Sequence, residues 1–236
     1  MILTASYSDI GGRNCNEDTV RLVTRGTDSC CAVLADGLGG HGGGAQASAA
    51  AADTICSIWQ NQLGELNLED TVQCAHRAVL KQQSPSCSMK STVVALCLRP
   101  GIAQWAHVGD SRLYYFFNGS LTFRSRDHSA SQIAVMLGEI TPDQIRFHAD
   151  RNRVLRALGQ EGDLLVETKD QPLLAGQHAF LLCSDGFWEY VLENEMEYDL
   201  SVSANPDEWI SRMRSRLLKR IPSDNDNNSA AAIWMV

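Results

Sequence analysis

Apolar residues recur along the chain in short runs of strand length, at 19–24, 30–35, 92–98, 102–108, 113–117, 121–124, 164–169, 179–183 and 230–236. They are rich in β-branched and aromatic residues and predict strands. Two connections between runs are tight. Arg99-Pro100-Gly101 joins one pair, and Asn118-Gly119, whose residues both accept positive φ, joins another. Tight hairpins mean antiparallel pairing, because parallel neighbours need a long crossover. A doubly wound nucleotide-binding sheet is thereby disfavoured.

Helical spacing appears between the strands. Residues 45–63 are Ala-rich, with Ile55, Ile58, Trp59 and Leu63 on one face, and a second helix is predicted over 68–83. A third, over 206–220, follows Asn205 as N-cap with Pro206 in the first helical position. Its Trp209, Met213 and Leu217 form an apolar stripe; Arg212, Arg216 and Arg220 form a basic one, with Glu208 placed to pair with Arg212. That basic stripe fits a solvated helix face better than a site for an acidic partner. Residues 129–159 differ, reading as short helices over 131–137, 141–147 and 151–158 between two strand groups, which suits a small lid. With no linker or repeat in view, residues 1–236 read as one domain.

Composition narrows the class. Hydrophobic residues at 44% and charged residues at 20% are globular values. The net charge of −8 argues against a nucleic-acid partner, since phosphate backbones select basic surfaces. No apolar run reaches the ~18 residues of a membrane span, and the first residues lack a signal-peptide pattern, so a cytoplasmic protein is expected. Eight cysteines without a CxxC pair favour reduced thiols over a disulfide framework or a zinc site.

The candidate chemistry lies where the aspartates fall. Apolar strands run directly into Asp36-Gly37, Asp110-Ser111 and Asp185-Gly186. A carboxylate there stands at a sheet edge on a rigid support. Arg13 precedes Glu17-Asp18, and Asp224-Asn225-Asp226 precedes the last strand. Carboxylates gathered in one place repel unless cations lie between them, and an oxygen-only donor set suits magnesium or manganese. Singly, each aspartate could be no more than a turn former.

In order along the chain, these motifs resemble the metal-dependent protein serine/threonine phosphatases of type 2C (the PPM family), in their compact bacterial form. Arg13…Glu17-Asp18 is similar to the opening R-x-x-x-E-D element, and Ala35-Asp36-Gly37-Leu38-Gly39-Gly40-His41 to A-D-G-M-G-G-H. Ser91-Thr92 stands at a G-T-T-type strand start; Val108-Gly109-Asp110-Ser111-Arg112 and Asp127-His128-Ser129 resemble V-G-D-S-R and D-H-S. Ser184-Asp185-Gly186-Phe187-Trp188 resembles S-D-G-L-W, and Asp226-Asn227-Asn228-Ser229 resembles D-N-x-T. The resemblance spans nearly the whole chain.

It implies an α+β fold, a four-layer α/β/β/α sandwich of two antiparallel sheets flanked by helices, with a helical flap at about 129–159. It implies two Mn2+ or Mg2+ ions, with a weaker third site, whose shared water attacks phosphoserine or phosphothreonine on proteins. By position, Asp36 would bridge the ions, the Gly37 carbonyl would bind the first, and Asp185 and Asp226 would complete the second. Glu17 and Asp18 would act through waters, and Asp110 with Asp185 would form the third site. Arg13 would clamp the phosphate, unless it pairs internally with Glu17 or Asp18. His41 could protonate the leaving oxygen, although Leu38 stands where family members with D-G-H carry their acid. His107 reads as a core residue and His128 as ordering the start of the flap.

The partners implied are phosphoproteins and an opposing bacterial Ser/Thr kinase, with no nucleic acid, no membrane and a monomeric state. The chain departs from the family at Lys90, His148-Ala149, Leu155-Arg156 and Ser229, none of them a metal position. Two rival readings remain. A catalytically dead scaffold would have lost a metal aspartate, and a nuclease or nucleotide hydrolase would show a basic groove or a Gly-Lys-Ser/Thr loop.

Overall fold

The computed structural model describes all residues except 39–42, Leu63, Glu65 and Val236. Two antiparallel sheets face each other. The first has the order β1(Ile2–Asp9), β11(Asn228–Met235), β10(His178–Cys183), β7(Arg112–Phe117), β8(Ser120–Arg124). The second has β2(Asp18–Arg25), β3(Ser29–Leu38), β5(Val93–Arg99), β6(Ile102–Val108), β9(Glu167–Pro172), with the short β4(Lys90–Ser91) paired to the end of β3.

Both faces of each sheet are covered, which is why the central strands read as unbroken apolar runs rather than alternating ones. In β3, Cys30, Ala32 and Leu34 point to the opposite sheet and join Leu96, Trp105 and Phe180. Cys31, Val33 and Ala35 point the other way, onto α1(Gly44–Asn61) and α2(Leu68–Gln82). On the far side, α5(Glu193–Ser201) and α6(Pro206–Leu217) cover the first sheet through Met196, Trp209, Met213 and Leu217. The result is the expected four-layer sandwich. All eight cysteines are free thiols.

Asn118 and Gly119 both have positive φ, at 49° and 84°, as the two-residue hairpin between β7 and β8 requires. The helix predicted over 206–220 ends at Leu217, and all three arginines of its stripe are paired: Arg212 with Glu208, Arg216 with Asp199 and Glu195, and Arg220, in the turn beyond the helix, with Glu195. It is a neutralised helix face.

Three elements differ from the sequence pattern. Residues 151–158 are not helical; after a turn at 151–152 they bridge Ser129 through Val154 and Ser91 through Leu158. Their backbone groups are satisfied by the neighbouring chain, with Leu155 N–H donating to His128 and Leu158 N–H to Ser91. β9 begins at Glu167 rather than 164, because it is an edge strand fixed by its register with β6, not by apolar alternation. β1 carries no run of large apolar residues, yet it pairs with β11 along its whole length. The 141–147 segment forms a 3-10 helix, Pro142–Phe147, behind a Thr141–Gln144 capping box. No helix among the described residues is long and apolar enough to cross a membrane.

Candidate metal centre

The ends of several strands converge on one cavity of about 530 Å3, at the edge where the two sheets open. Five carboxylates line it: Glu17, Asp36, Asp110, Asp185 and Asp226. Among the described lining residues the one cation is Arg13.

Local structure brings each acid there. Asp36 ends the apolar part of β3, its N–H donating to the Thr92 hydroxyl (3.0 Å) and its carbonyl accepting from Thr92 N–H (2.8 Å). Directly opposite in the β2–β3 ladder lies Asp18. Like charges facing across a ladder destabilise it, so this pairing needs a reason outside the fold. The glycines after Asp36 and Asp185 permit close backbone approach. A Cβ on Gly37 would lie 2.2 Å from the carbonyl of Gly44, and one on Gly186 would lie 2.2 Å from that of Asn227. Asp185 opens the single turn α4(Asp185–Trp188). Asp110 follows β6, with its backbone carbonyl held by the Trp188 indole N–H at 2.9 Å.

The carboxylates crowd one another. Burial, followed by Asp18, Asp185, Asp110 and Asp226, raises Asp36 well above the ordinary carboxylate range. Burial and Asp110 do the same for Asp185. Burial pushes Asp110 up to about 7 and Asp18 up to about 6, the latter despite hydrogen bonds from Ser229 and Ser184. One oxygen each of Asp18, Asp110 and Asp185 is buried without a hydrogen-bond partner. Orphaned carboxylate oxygens around a roomy cavity lined chiefly by acidic oxygen donors fit hard divalent cations.

Arg13 is spoken for. Its Nε and Nη2 grip Asp226 at 3.0 and 2.8 Å, so its internal partner is Asp226 rather than Glu17 or Asp18. The choice between the two C-terminal aspartates also takes shape: Asp226 lines the cavity, while Asp224 lines a neighbouring one. Asp18 stands behind the wall, bonded to the Ser184 hydroxyl (2.8 Å). His41 lies outside the described residues, as does most of the glycine run around it.

Sequence reasoning assigned no role to Asn227. Its Oδ1 accepts from Glu17 N–H (2.8 Å), and its Nδ2 donates to the carbonyls of Ile10 and Cys15, so it ties the Arg13 loop to the Asp226 loop. Adjacency to Asp226 was the available signal.

A second cluster, His107, His128 and Glu167, has the composition of a metal site but not its protonation. His128 Nδ1 accepts from Gly109 N–H (3.1 Å), which leaves the proton on the Nε2 that faces Glu167 at 3.2 Å. His107 Nε2 lies 2.8 Å from the Arg126 carbonyl and must be protonated to bond it. Both nitrogens therefore carry hydrogen, and the stacked pair is a hydrogen-bonded core that anchors the start of the 129–159 segment.

Burial and neighbouring His107 push His128 down to about 4. A depressed histidine contributes stability that is complete above its unfolded value near 6.5 and is lost as pH falls toward 4. Urea unfolding at pH 7 and 4.5 should show the wild type losing on the order of 2 kcal/mol more than His128→Asn. Equal losses would show that His128 is not protonated on unfolding in that window.

Fold and donor set together describe a hydrolase built to work with divalent cations. The family model described as Protein phosphatase 2C matches residues 7–221, and the chain belongs to that family. The serine/threonine phosphatase stp of Listeria monocytogenes is 30% identical over 217 residues, covering 86% of each chain. Among solved structures, the Streptococcus agalactiae serine/threonine phosphatase superposes with a TM-score of 0.85 at 22% identity, over 100% of both chains. The catalytic domain of the serine/threonine protein phosphatase PstP, solved with two manganese ions, superposes with a TM-score of 0.81 at 26% identity. That match covers 98% of this chain and 97% of the other.

Proposed function

We propose that this protein is a protein phosphatase that hydrolyses phosphoserine and phosphothreonine on proteins with two Mn2+ or Mg2+ ions. The observation that carries the reading is the set of buried and half-buried, mutually repelling carboxylates around one cavity, with orphaned oxygens on Asp110 and Asp185. In this reading Asp36 and the Gly37 carbonyl hold one ion. Asp36, Asp185 and Asp226 hold the other, and Asp110 with Asp185 provides a weaker third position. When bound, the ions supply a water of lowered pKa held in line with phosphorus.

The chain's own residues do the rest. Glu17, its carboxylate against the start of α1 at Gly44, and Asp18, fixed by Ser184, orient waters around the ions. Arg13 has a planar fork that matches two phosphoryl oxygens as well as it matches Asp226. Its pair with Asp226 is about half exposed, and such pairs contribute only about 0–1 kcal/mol, so exchange onto a phosphate costs little. His41 is the proposed proton donor to the departing seryl or threonyl oxygen. The 129–159 segment, contributing Asn152 and Val154 to the cavity wall, is the proposed flap of a one-domain enzyme spanning 1–236. An opposing bacterial Ser/Thr kinase, a monomeric state and a cytoplasmic location complete the proposal.

Phosphate release from a phosphothreonine peptide should require manganese or magnesium and should stop with chelator. His41→Ala should slow it more than it slows an activated aryl phosphate, whose leaving group needs no proton. Release that continues unchanged in chelator would overturn the reading.

A further inference from the structure

A dense cluster of buried charge lies behind the cavity wall, where the mechanism above makes no use of it. Glu193, the first residue of α5, accepts from Arg146 Nη2 (2.5 Å), the Tyr114 hydroxyl (3.1 Å) and Arg124 Nη1 (3.4 Å). Arg112 grips Asp127 through Nε (2.8 Å) and Nη2 (2.7 Å). The guanidinium carbons of Arg112 and Arg146 lie 3.5 and 5.6 Å from the centre of the Trp188 ring. That indole holds the Asp110 carbonyl, and it closes the turn that begins at Asp185.

Buried guanidinium groups are costly, and well-packed apolar residues would stabilise such a core as well or better. Arg146 is the telling member. It comes from the Pro142–Phe147 helix of the 129–159 segment, its side chain is 4% exposed, and its Nη1 is buried with no partner. Next to it, Ile145 is buried against the same layer, whereas Phe147 is 83% exposed. The segment is thus seated at this point by one apolar side chain and by a cation resting on the indole that positions Asp110.

We propose that Arg146 is a positioning residue, coupling the seating of the 129–159 segment to the placement of Asp110 and Asp185 through Trp188 and Glu193. The proposal rests on the phosphatase reading above. If Arg146 leaves, Glu193 loses its shortest partner and Trp188 loses one of the two cations over its ring. The indole that fixes the Asp110 carbonyl is then free to shift. Coupling is reciprocal, so filling the cavity must in turn tighten the segment.

The test is hydrogen exchange of the wild-type protein with and without saturating manganese chloride. Amides over 142–147 should exchange about fivefold more slowly with metal, although none of these residues lines the cavity. In Arg146→Met, metal-free exchange there should rise about tenfold and manganese affinity by calorimetry should fall about fivefold, both within the usual range of coupling. At saturating manganese, KM for a phosphothreonine peptide should rise by a larger factor than kcat on a small aryl phosphate falls. Arg146→Lys, which keeps the charge facing Glu193, should recover more than half of the lost affinity. If the wild type binds manganese without slowing exchange at 142–147, or if Arg146→Met binds it as tightly as wild type, this proposal falls and the phosphatase reading stands. A wild type that binds no manganese overturns both. Should Arg146→Met fail to fold, the wild-type exchange result decides alone.

Discussion

Replacing Asp36 by Asn is expected to abolish phosphate release while making the metal-free protein more stable. The two effects have one cause. Asp36 lies against Asp18, Asp185, Asp110 and Asp226, and burial adds to their repulsion, so the metal-free fold holds its carboxyl far more tightly in the neutral form. For a carboxyl whose folded pKa is raised, stability is complete below the unfolded value and is lost as pH rises through the folded value. At neutral pH the asparagine mimics the protonated acid and removes that loss. The gain should be about 1–3 kcal/mol, raising the midpoint by roughly 2–12 °C for a chain of this size. Activity should fall by roughly a thousandfold or more, since a ligand shared by both proposed ions would support several kcal/mol of charge stabilisation in the transition state. Thermal unfolding in chelator and then in manganese should show the order reversing: Asp36→Asn above wild type without metal, below it with metal. A variant less stable than wild type in chelator would mean that Asp36 serves the fold rather than a cation.

Arg13→Ala has the next largest expected effect. Two charge-assisted hydrogen bonds to a phosphoryl group, set against the Asp226 pair they replace, contribute about 1.5–3 kcal/mol together, so KM for a phosphopeptide should rise roughly 10- to 100-fold. The structure adds a second expectation. Because Arg13 holds both oxygens of Asp226, its removal frees that carboxylate, and manganese affinity should hold or tighten rather than weaken. Arg13→Lys should recover only part of the KM effect, because an ammonium cannot reproduce the planar fork. An unchanged KM in Arg13→Ala, or manganese binding lost along with it, would assign Arg13 to structure alone.

Much of this was written in the chain in a form that pattern reading can use. Fully buried strands such as 30–35 and 179–183 are apolar at every position because helices and a second sheet cover both faces. Asp36 and Asp185 stand out because an acid directly after such a run has no place in a core. Asn118-Gly119 fixed a hairpin because few residue pairs accept two positive φ values. What escaped had its cause elsewhere in the molecule. β1 is held by pairing with β11 at the other end of the sequence, and its small and polar side chains give no period. Residues 151–158 have helical spacing, but their hydrogen bonds go to His128 and Ser91. The partner of Arg13 lies 213 positions away, beyond any local rule. Arg146 and Glu193 look like ordinary surface charges until the fold closes an indole and a tyrosine around them.

Everything proposed for the site requires that Asp36, Asp185 and Asp226 surround a pair of cations. Anomalous diffraction at the manganese edge, from crystals grown with manganese, tests it most directly. Two peaks about 3.5–4 Å apart are expected in the carboxylate cavity, both bonded to Asp36, with Arg13 swung off Asp226. An empty cavity, with Arg13 still on Asp226 and manganese bound elsewhere or nowhere, would contradict it.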